Sequence, residues 1–146
     1  MTPDVNVLIA ASRTDHPHYK DAIDWLKNAI AACRGGASIE ILPMVASGFL
    51  RLVTHPKVFA QPTPIDEALA FLDALLATPG VEMPALGGEW NTLRQLCRDA
   101  QLSGNDIPDA WIAAAVRTIG SHFVTFDRGF ATLLGRREVT FLPVDA

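Results

Sequence analysis

The chain has 146 residues, 49% of them hydrophobic and 19% charged, with twelve Lys and Arg against sixteen Asp and Glu. A chain of this length buries roughly 70% of the surface its unfolded form exposes, so a single domain over residues 1–146 can build its core without disulfides or structural metal. Its Gly and Pro content is ordinary, no apolar run is long enough to cross a bilayer and no basic-then-apolar leader opens it, so a cytoplasmic protein with no membrane association is expected.

Cys33 and Cys97 have no partner at metal-ligand spacing and read as small apolar residues on helices. The net charge of −4 argues against gripping nucleic acid by bulk positive potential, though not against a nuclease. Residues 1–90 carry six basic and ten acidic side chains and residues 91–146 six of each, so any cationic surface is local. Candidates are Arg51, His55 and Lys57 in one segment and Arg128, Arg136 and Arg137 in another.

In chain order, Met1–Val5 reads as a stub of strand, followed by an apolar stretch, Val7–Ala11, and polar Ser12–Asp15. Pro17 opens a helix in which Tyr19, Ala22, Ile23, Leu26, Ala29, Ile30 and Cys33 recur at helical spacing, and Arg34-Gly35-Gly36 closes it. Ser38–Leu42 is a short strand, and Pro43 starts a helix through Val53 that Pro56 stops. Thr63 supplies an N-cap hydroxyl before Pro64 and the acids Asp66 and Glu67, with Leu69, Leu72, Leu75 and Leu76 as the buried face of the helix that follows. Val81–Pro84 is a further strand, and Glu89–Leu102 a helix with Trp90, Leu93, Leu96 and Cys97 on one side. The loop Ser103–Asp106 leads through Pro108 to a helix over Asp109–Ile119, ended by Gly120. Phe123–Phe126 and Val139–Leu142 are the last strands. Strands alternating with longer helices predict an α/β domain, a mostly parallel central sheet flanked by helices.

Ligands of such a sheet collect beyond the carboxyl ends of its strands. Asp4, at the end of the first strand with Asn6 behind it, and Asp127, after Phe123–Phe126, both fall there. The two-residue period puts Thr125 on the side of Asp127, where its hydroxyl can orient a carboxylate or a water. Asp109 stands in the first turn of its helix, a place the helix dipole alone favours by about 0.3–1 kcal/mol. Three acids around one sheet edge call for a cation, and oxygen-only ligation suits Mg²⁺ or Mn²⁺ and phosphodiester chemistry. No zinc spacing competes: His16 and His18 flank Pro17 and face different directions, while His55 and His122 are isolated. Gly35-Gly36 and Gly87-Gly88 lack the lysine of a phosphate loop, and no Ser or Cys stands in a nucleophile elbow.

With these residues in place the chain resembles the PIN-domain ribonucleases, and most closely the VapC-type toxins of bacterial toxin–antitoxin pairs. The resemblance rests on Pro3-Asp4-Val5-Asn6-Val7-Leu8, Phe49-Leu50-Arg51-Leu52 with Thr54-His55-Pro56-Lys57-Val58-Phe59, Pro108-Asp109-Ala110 with Ala113-Ala114, and Val124-Thr125-Phe126-Asp127-Arg128 with Phe130. It implies a Mg²⁺- or Mn²⁺-dependent endoribonuclease, usually a homodimer, restrained by a cognate antitoxin. It also implies Asp4, Asp109 and Asp127 as metal-binding catalytic carboxylates, with Asn6 and Thr125 in support and a metal-activated water as nucleophile. Arg51, Lys57 and Arg128 are the candidate contacts to RNA phosphates.

The family's usual fourth acid is a Glu three residues before the arginine that is Arg51, and this chain has Gly48 there. Asp106, three residues before Asp109, is a partial substitute. Gly129 stands where many relatives carry another acid and Trp111 where they often carry His, and Glu40 points away from the site. The competing reading is an inactive PIN-like dimeric binding module. A phosphorelay receiver or aspartyl phosphatase would require paired acids near the first strand, which Asp4 and Asn6 do not supply.

Overall fold

The computed structural model describes residues 1–143. Five strands, β1 (Thr2–Pro3), β2 (Ile39–Glu40), β3 (Val81–Glu82), β4 (Phe123–Thr125) and β5 (Val139–Phe141), alternate with six helices. The helices are α1 (Val5–Ser12), α2 (Tyr19–Cys33), α3 (Pro43–Val53), α4 (Ile65–Leu76), α5 (Trp90–Asp99) and α6 (Asp106–Thr118), and a 3-10 turn, Arg128–Thr132, follows β4. Every strand pair is parallel: β1 with β4, β4 with β5, and β2 with β3.

The two sheets, β1-β4-β5 and β2-β3, meet at Met1, whose carbonyl accepts from the Glu40 N–H at 2.9 Å and whose amine donates to the Ser38 carbonyl at 2.8 Å. Pro3 explains this thin seam. The N–H groups of Thr2 and Asp4 bond to the carbonyls of His122 and Val124, so the β4 side of β1 is fully served. The residue between them has no N–H to offer the other side, which lets proline sit in an interior strand.

Val7, Leu8 and Ala10 of α1 are wholly buried, and α1 packs against α2, α3 and β4. Sequence periodicity does not identify this helix because it is apolar on every side, the pattern of a buried element. In α6, buried Ala110, Ala113, Ala114 and Ala115 bring its backbone close to its neighbours. That helix begins at Asp106, three residues before the expected start. Pro108 fits within the first turn, where its missing N–H falls among the donors that have no partner in the helix. Gly120, at φ 68°, ends α6, and the Ser121 N–H reaches the Val116 carbonyl at 3.0 Å, turning the chain into β4.

Several expectations need correction. β1 stops at Pro3, and Asp4 is the N-cap of α1 rather than the end of a strand. The Thr63 hydroxyl does not cap α4; it accepts from Arg13 Nη1 at 3.0 Å, and Pro64 occupies the cap. Arg13 is itself buried, donating to Asp15 and to the Gln61 carbonyl and stacked 4.0 Å above the Phe59 ring, so it clasps the α3–α4 connection to the end of α1. Leu69 is 40% exposed and Trp90 63% exposed, because helical spacing shows which residues share a face and not whether anything covers it. His16 and His18 do not diverge: their rings lie 5.7 Å apart, and His18 stacks on Phe126 at 5.1 Å. Cys33 and Cys97 sit half-buried on α2 and α5, as expected.

Candidate functional site

Pairing of β1 with β4 puts the start of α1 beside the end of β4, and Asp4 is held from both. Its Oδ1 accepts from the Val5 N–H at 2.7 Å and its Oδ2 from the Thr125 hydroxyl at 2.6 Å. Thr125, fully buried, also accepts from the Asp127 N–H at 2.9 Å and from Asn6 Nδ2 at 3.3 Å. Asn6 closes the lattice by accepting from the Phe126 N–H at 3.3 Å. One hydroxyl thus ties Asp4, Asn6 and Asp127 together. The carboxylate that the Thr125 hydroxyl donates to is that of Asp4.

Asp127 follows β4 and its Oδ1 accepts from the Gly129 N–H at 2.8 Å. A Cβ at Gly129 would come within 3.0 Å of that same Oδ1, so glycine keeps the carboxylate turn close. Asp109, half-buried in the first turn of α6, lies within electrostatic reach of Asp4, Asp127 and Asp106. Among the described residues none of these four acids forms an ion pair.

Burial pushes the Asp4 carboxyl up to about 6, further raised by Asp109 and Asp127 and opposed by the hydrogen bonds from Thr125 and Val5. Burial also raises Asp109, with Asp127 and Asp106 adding to the effect. The site therefore has oxygen donors, excess negative charge and no cation paired with its acids, which fits a hard divalent ion. Among the described residues no three His, Cys, Asp or Glu side chains converge closely enough to form a metal-holding group, so the fit is one of charge and donor type.

A cleft of about 560 Å³ opens beside Asp4, Asn6 and Asp109. Gly48 and Arg51 of α3 line it, so the chain does bring the position of the missing acid to the acidic edge. Arg128 adjoins Asp127 in sequence, its guanidinium 5.5 Å from the Phe141 ring centroid. Lys57, in the exposed turn after α3, does not line the cleft, so of the basic candidates Arg51, His55 and Lys57 it is Arg51 that lines it. Sequence reading missed Glu89, which is buried and accepts from Trp111 Nε1 at 2.9 Å and from the Gly87 N–H at 2.7 Å. Glu40 lies away from the site, as expected, bonded to the Met1 amine at 2.8 Å.

The chain matches the PIN domain family over residues 1–133. It belongs to that family. It is 37% identical over 140 residues to "Ribonuclease VapC31" of Mycobacterium tuberculosis, covering 93% of this chain and 94% of that one. It is also 36% identical over 138 residues to "Ribonuclease VapC25" of the same species, with the same coverage. Among solved structures, VapBC2 from Rickettsia felis, bound to a DNA fragment from its promoter, aligns with a TM-score of 0.67 at 16% identity, over 97% of this chain and 98% of that one. The parallel α/β architecture expected from the sequence is the PIN fold. No helix is long and apolar enough to cross a membrane among the described residues.

Proposed function

We infer that this PIN domain is a VapC-type ribonuclease, the toxin of a toxin–antitoxin pair, and that Asp4, Asp109 and Asp127 hold a divalent cation, Mg²⁺ or Mn²⁺, for hydrolysis of RNA phosphodiesters. The observation that carries the metal reading is the accumulation of Asp4, Asp106, Asp109 and Asp127 with no ion-pair partner, one of them buried and raised to about 6. When bound, the cation neutralises phosphate charge and lowers the pKa of the attacking water. The rest is the work of the chain. Thr125 and the Val5 N–H fix the Asp4 carboxylate, Asn6 fixes Thr125, and the Gly129 N–H fixes Asp127. Asp106 supports Asp109 by adding charge beside it.

Arg51 and Arg128, flanking the acids, meet the phosphates of the substrate, with Lys57 a more distant contact. A cognate antitoxin is the expected protein partner, and a homodimer the expected assembly. The exposed apolar side chains Trp90, Ile65 and Leu69 support contacts to other protein chains.

Incubating the purified protein with RNA and Mg²⁺, Mn²⁺ or a chelator tests the reading. Cleavage is expected only with metal, and Asp109→Asn should abolish it while leaving the thermal melt cooperative. Cleavage that survives the chelator, or full activity in Asp109→Asn, would overturn the metal mechanism.

A further inference from the structure

The acids account for one side of the cleft only. Apart from Asn6 and Arg51 its other walls are apolar, among them Met44 of α3, Leu93 of α5, and Ile107 and Trp111 of α6, with Trp111 39% exposed. Trp111 is also fixed in orientation. Its indole N–H donates to Glu89 Oε1 at 2.9 Å, and the buried Glu89 is held in turn by the Gly87 N–H at its other oxygen. A rigid, solvent-facing aromatic within one cleft with Asp4 and Asp109 serves no step of phosphodiester hydrolysis.

Resting on the ribonuclease reading of the acidic edge, we propose that Trp111 is a stacking platform for the nucleobase next to the cleaved phosphate, and that the apolar cleft is the base-specificity pocket of the enzyme. The argument is one of reach. A nucleotide whose phosphate lies at the acids has its base within one nucleotide length of them, and the cleft shares Asp4 and Asp109 with that site. Single-stranded RNA is recognised by unstacked bases laid on aromatic side chains. Arg51 on the α3 wall supplies the positive charge a neighbouring phosphate requires, in a cleft whose other charged residues are both acids.

The test measures binding of labelled single-stranded RNA heptamers to the full chain in an Asp109→Asn background, which prevents cleavage. Trp111→Leu keeps an apolar side chain but removes the π-face, and Trp111→Phe keeps an aromatic ring. Both lose the bond to Glu89, so the difference between them isolates the aromatic ring. Leu is expected to weaken binding by roughly 5- to 150-fold, the range for losing one base–aromatic stack, and Phe by clearly less. Heptamers carrying one abasic position, scanned along the strand, should show a single position whose removal weakens Trp111 binding and has no further effect in Trp111→Leu. In the cleaving chain, Trp111→Leu should raise KM and blur the preferred cleavage site.

Equal affinities for Trp111, Trp111→Phe and Trp111→Leu in a chain that cleaves RNA would overturn the platform and leave the ribonuclease reading intact. Unchanged RNA binding combined with loss of antitoxin binding in Trp111→Leu would assign the cleft to the protein partner, overturning the proposal. A wild-type chain that neither binds nor cleaves RNA would remove the ribonuclease reading and the platform together.

Discussion

The two ends of the parallel sheet treat their carboxylates in opposite ways. On the amino side of β1, β4 and β5, Glu40 accepts the Met1 amine together with the hydroxyls of Ser38 and Ser121. Nearby in that layer, Glu138 is gripped by two guanidinium nitrogens of Arg117, at 2.8 and 2.9 Å, and held down to about 2, chiefly by that hydrogen bonding. On the carboxyl side, Asp4 is pushed up to about 6 and Asp109 is also raised. One end pairs its acids with cations, and the other leaves Asp4, Asp109 and Asp127 without an ion-pair partner. Such an unbalanced group of buried and half-buried carboxylates is a cost the fold carries, which is why the carboxyl side reads as the working end and the amino side as a fastening.

Asp4→Asn should reverse the imbalance most sharply, and in two directions at once. If Asp4 is a direct ligand, as proposed, the change should cost more activity than the about 10–100-fold typical of losing an outer partner of a metal ligand. Stability should move the other way. Because the folded state holds its proton up to about 6 and an unfolded Asp only to 3.8, ionising Asp4 destabilises the fold as pH rises through that window. At pH 7.5 this amounts to on the order of 2–3 kcal/mol, against about 1–1.5 kcal/mol for weakened hydrogen bonds in the Asn variant. A net gain of about 1 kcal/mol, or about 2–4 °C in Tm, is expected without metal at pH 7.5, and none at pH 4. Parallel melts of the two chains across pH check this, and a variant less stable at both pH values would show that Asp4 carries no such strain.

Glu138→Gln breaks the opposite end. The folded-state carboxyl is depressed from 4.5 to about 2, so its contribution is present above 4.5 and fades as pH falls toward 2. With Arg117 39% exposed, solvent screening reduces the value of the pair to about 1 kcal/mol. A Tm lowered by about 2–4 °C at pH 7, with the gap to wild type closing below pH 4.5 and RNA cleavage unchanged, is the expected outcome.

How much of this was legible in the sequence follows from the range of each interaction. Asp109 and Asp127 carry local signals, a proline-led first turn and the exit of an apolar strand, whereas Asp4 stood out as the end of a first strand and is instead the N-cap of a helix that the sequence did not reveal. Thr125 was legible as a neighbour of Asp127, but its bond to Asp4 spans 121 positions and exists only because β1 pairs with β4. The Glu89–Trp111 bond spans 22 positions between two helices and leaves no local mark. Helix α1 escaped assignment because a helix buried on all sides has no polar face to set a period. Leu69 and Trp90 were placed inward because a helical stripe looks the same whether or not another element covers it.

The smallest expected effect comes from adding to the imbalance. Gly48 lies on α3 in the same cleft as Asp4 and Asp109, so Gly48→Glu would place a further carboxylate at the carboxyl end. The helix itself gains, since Gly in a helix interior costs about 0.5–1 kcal/mol relative to Ala. The obstacle is local: a Cβ there would stand 3.0 Å from Val5 Cγ2, so Val5 must shift by a few tenths of an ångström. Val5 is only half-buried and lines the same cleft, so it has room on one side. Without metal, the added charge should cancel the gain in helix propensity and leave Tm nearly unchanged. With metal, it should lower the Mn²⁺ or Mg²⁺ concentration needed for half-maximal cleavage by a few-fold. Gly48→Gln separates the two effects, because it has nearly the same shape and the same contact with Val5 but no charge. If Glu and Gln shift the metal titration equally, the change comes from repacking around Val5. If Glu alone shifts it, the gap at Gly48 is a missing ligand. If neither shifts it while Asp106→Asn raises the metal requirement, Asp106 already supplies the fourth carboxylate.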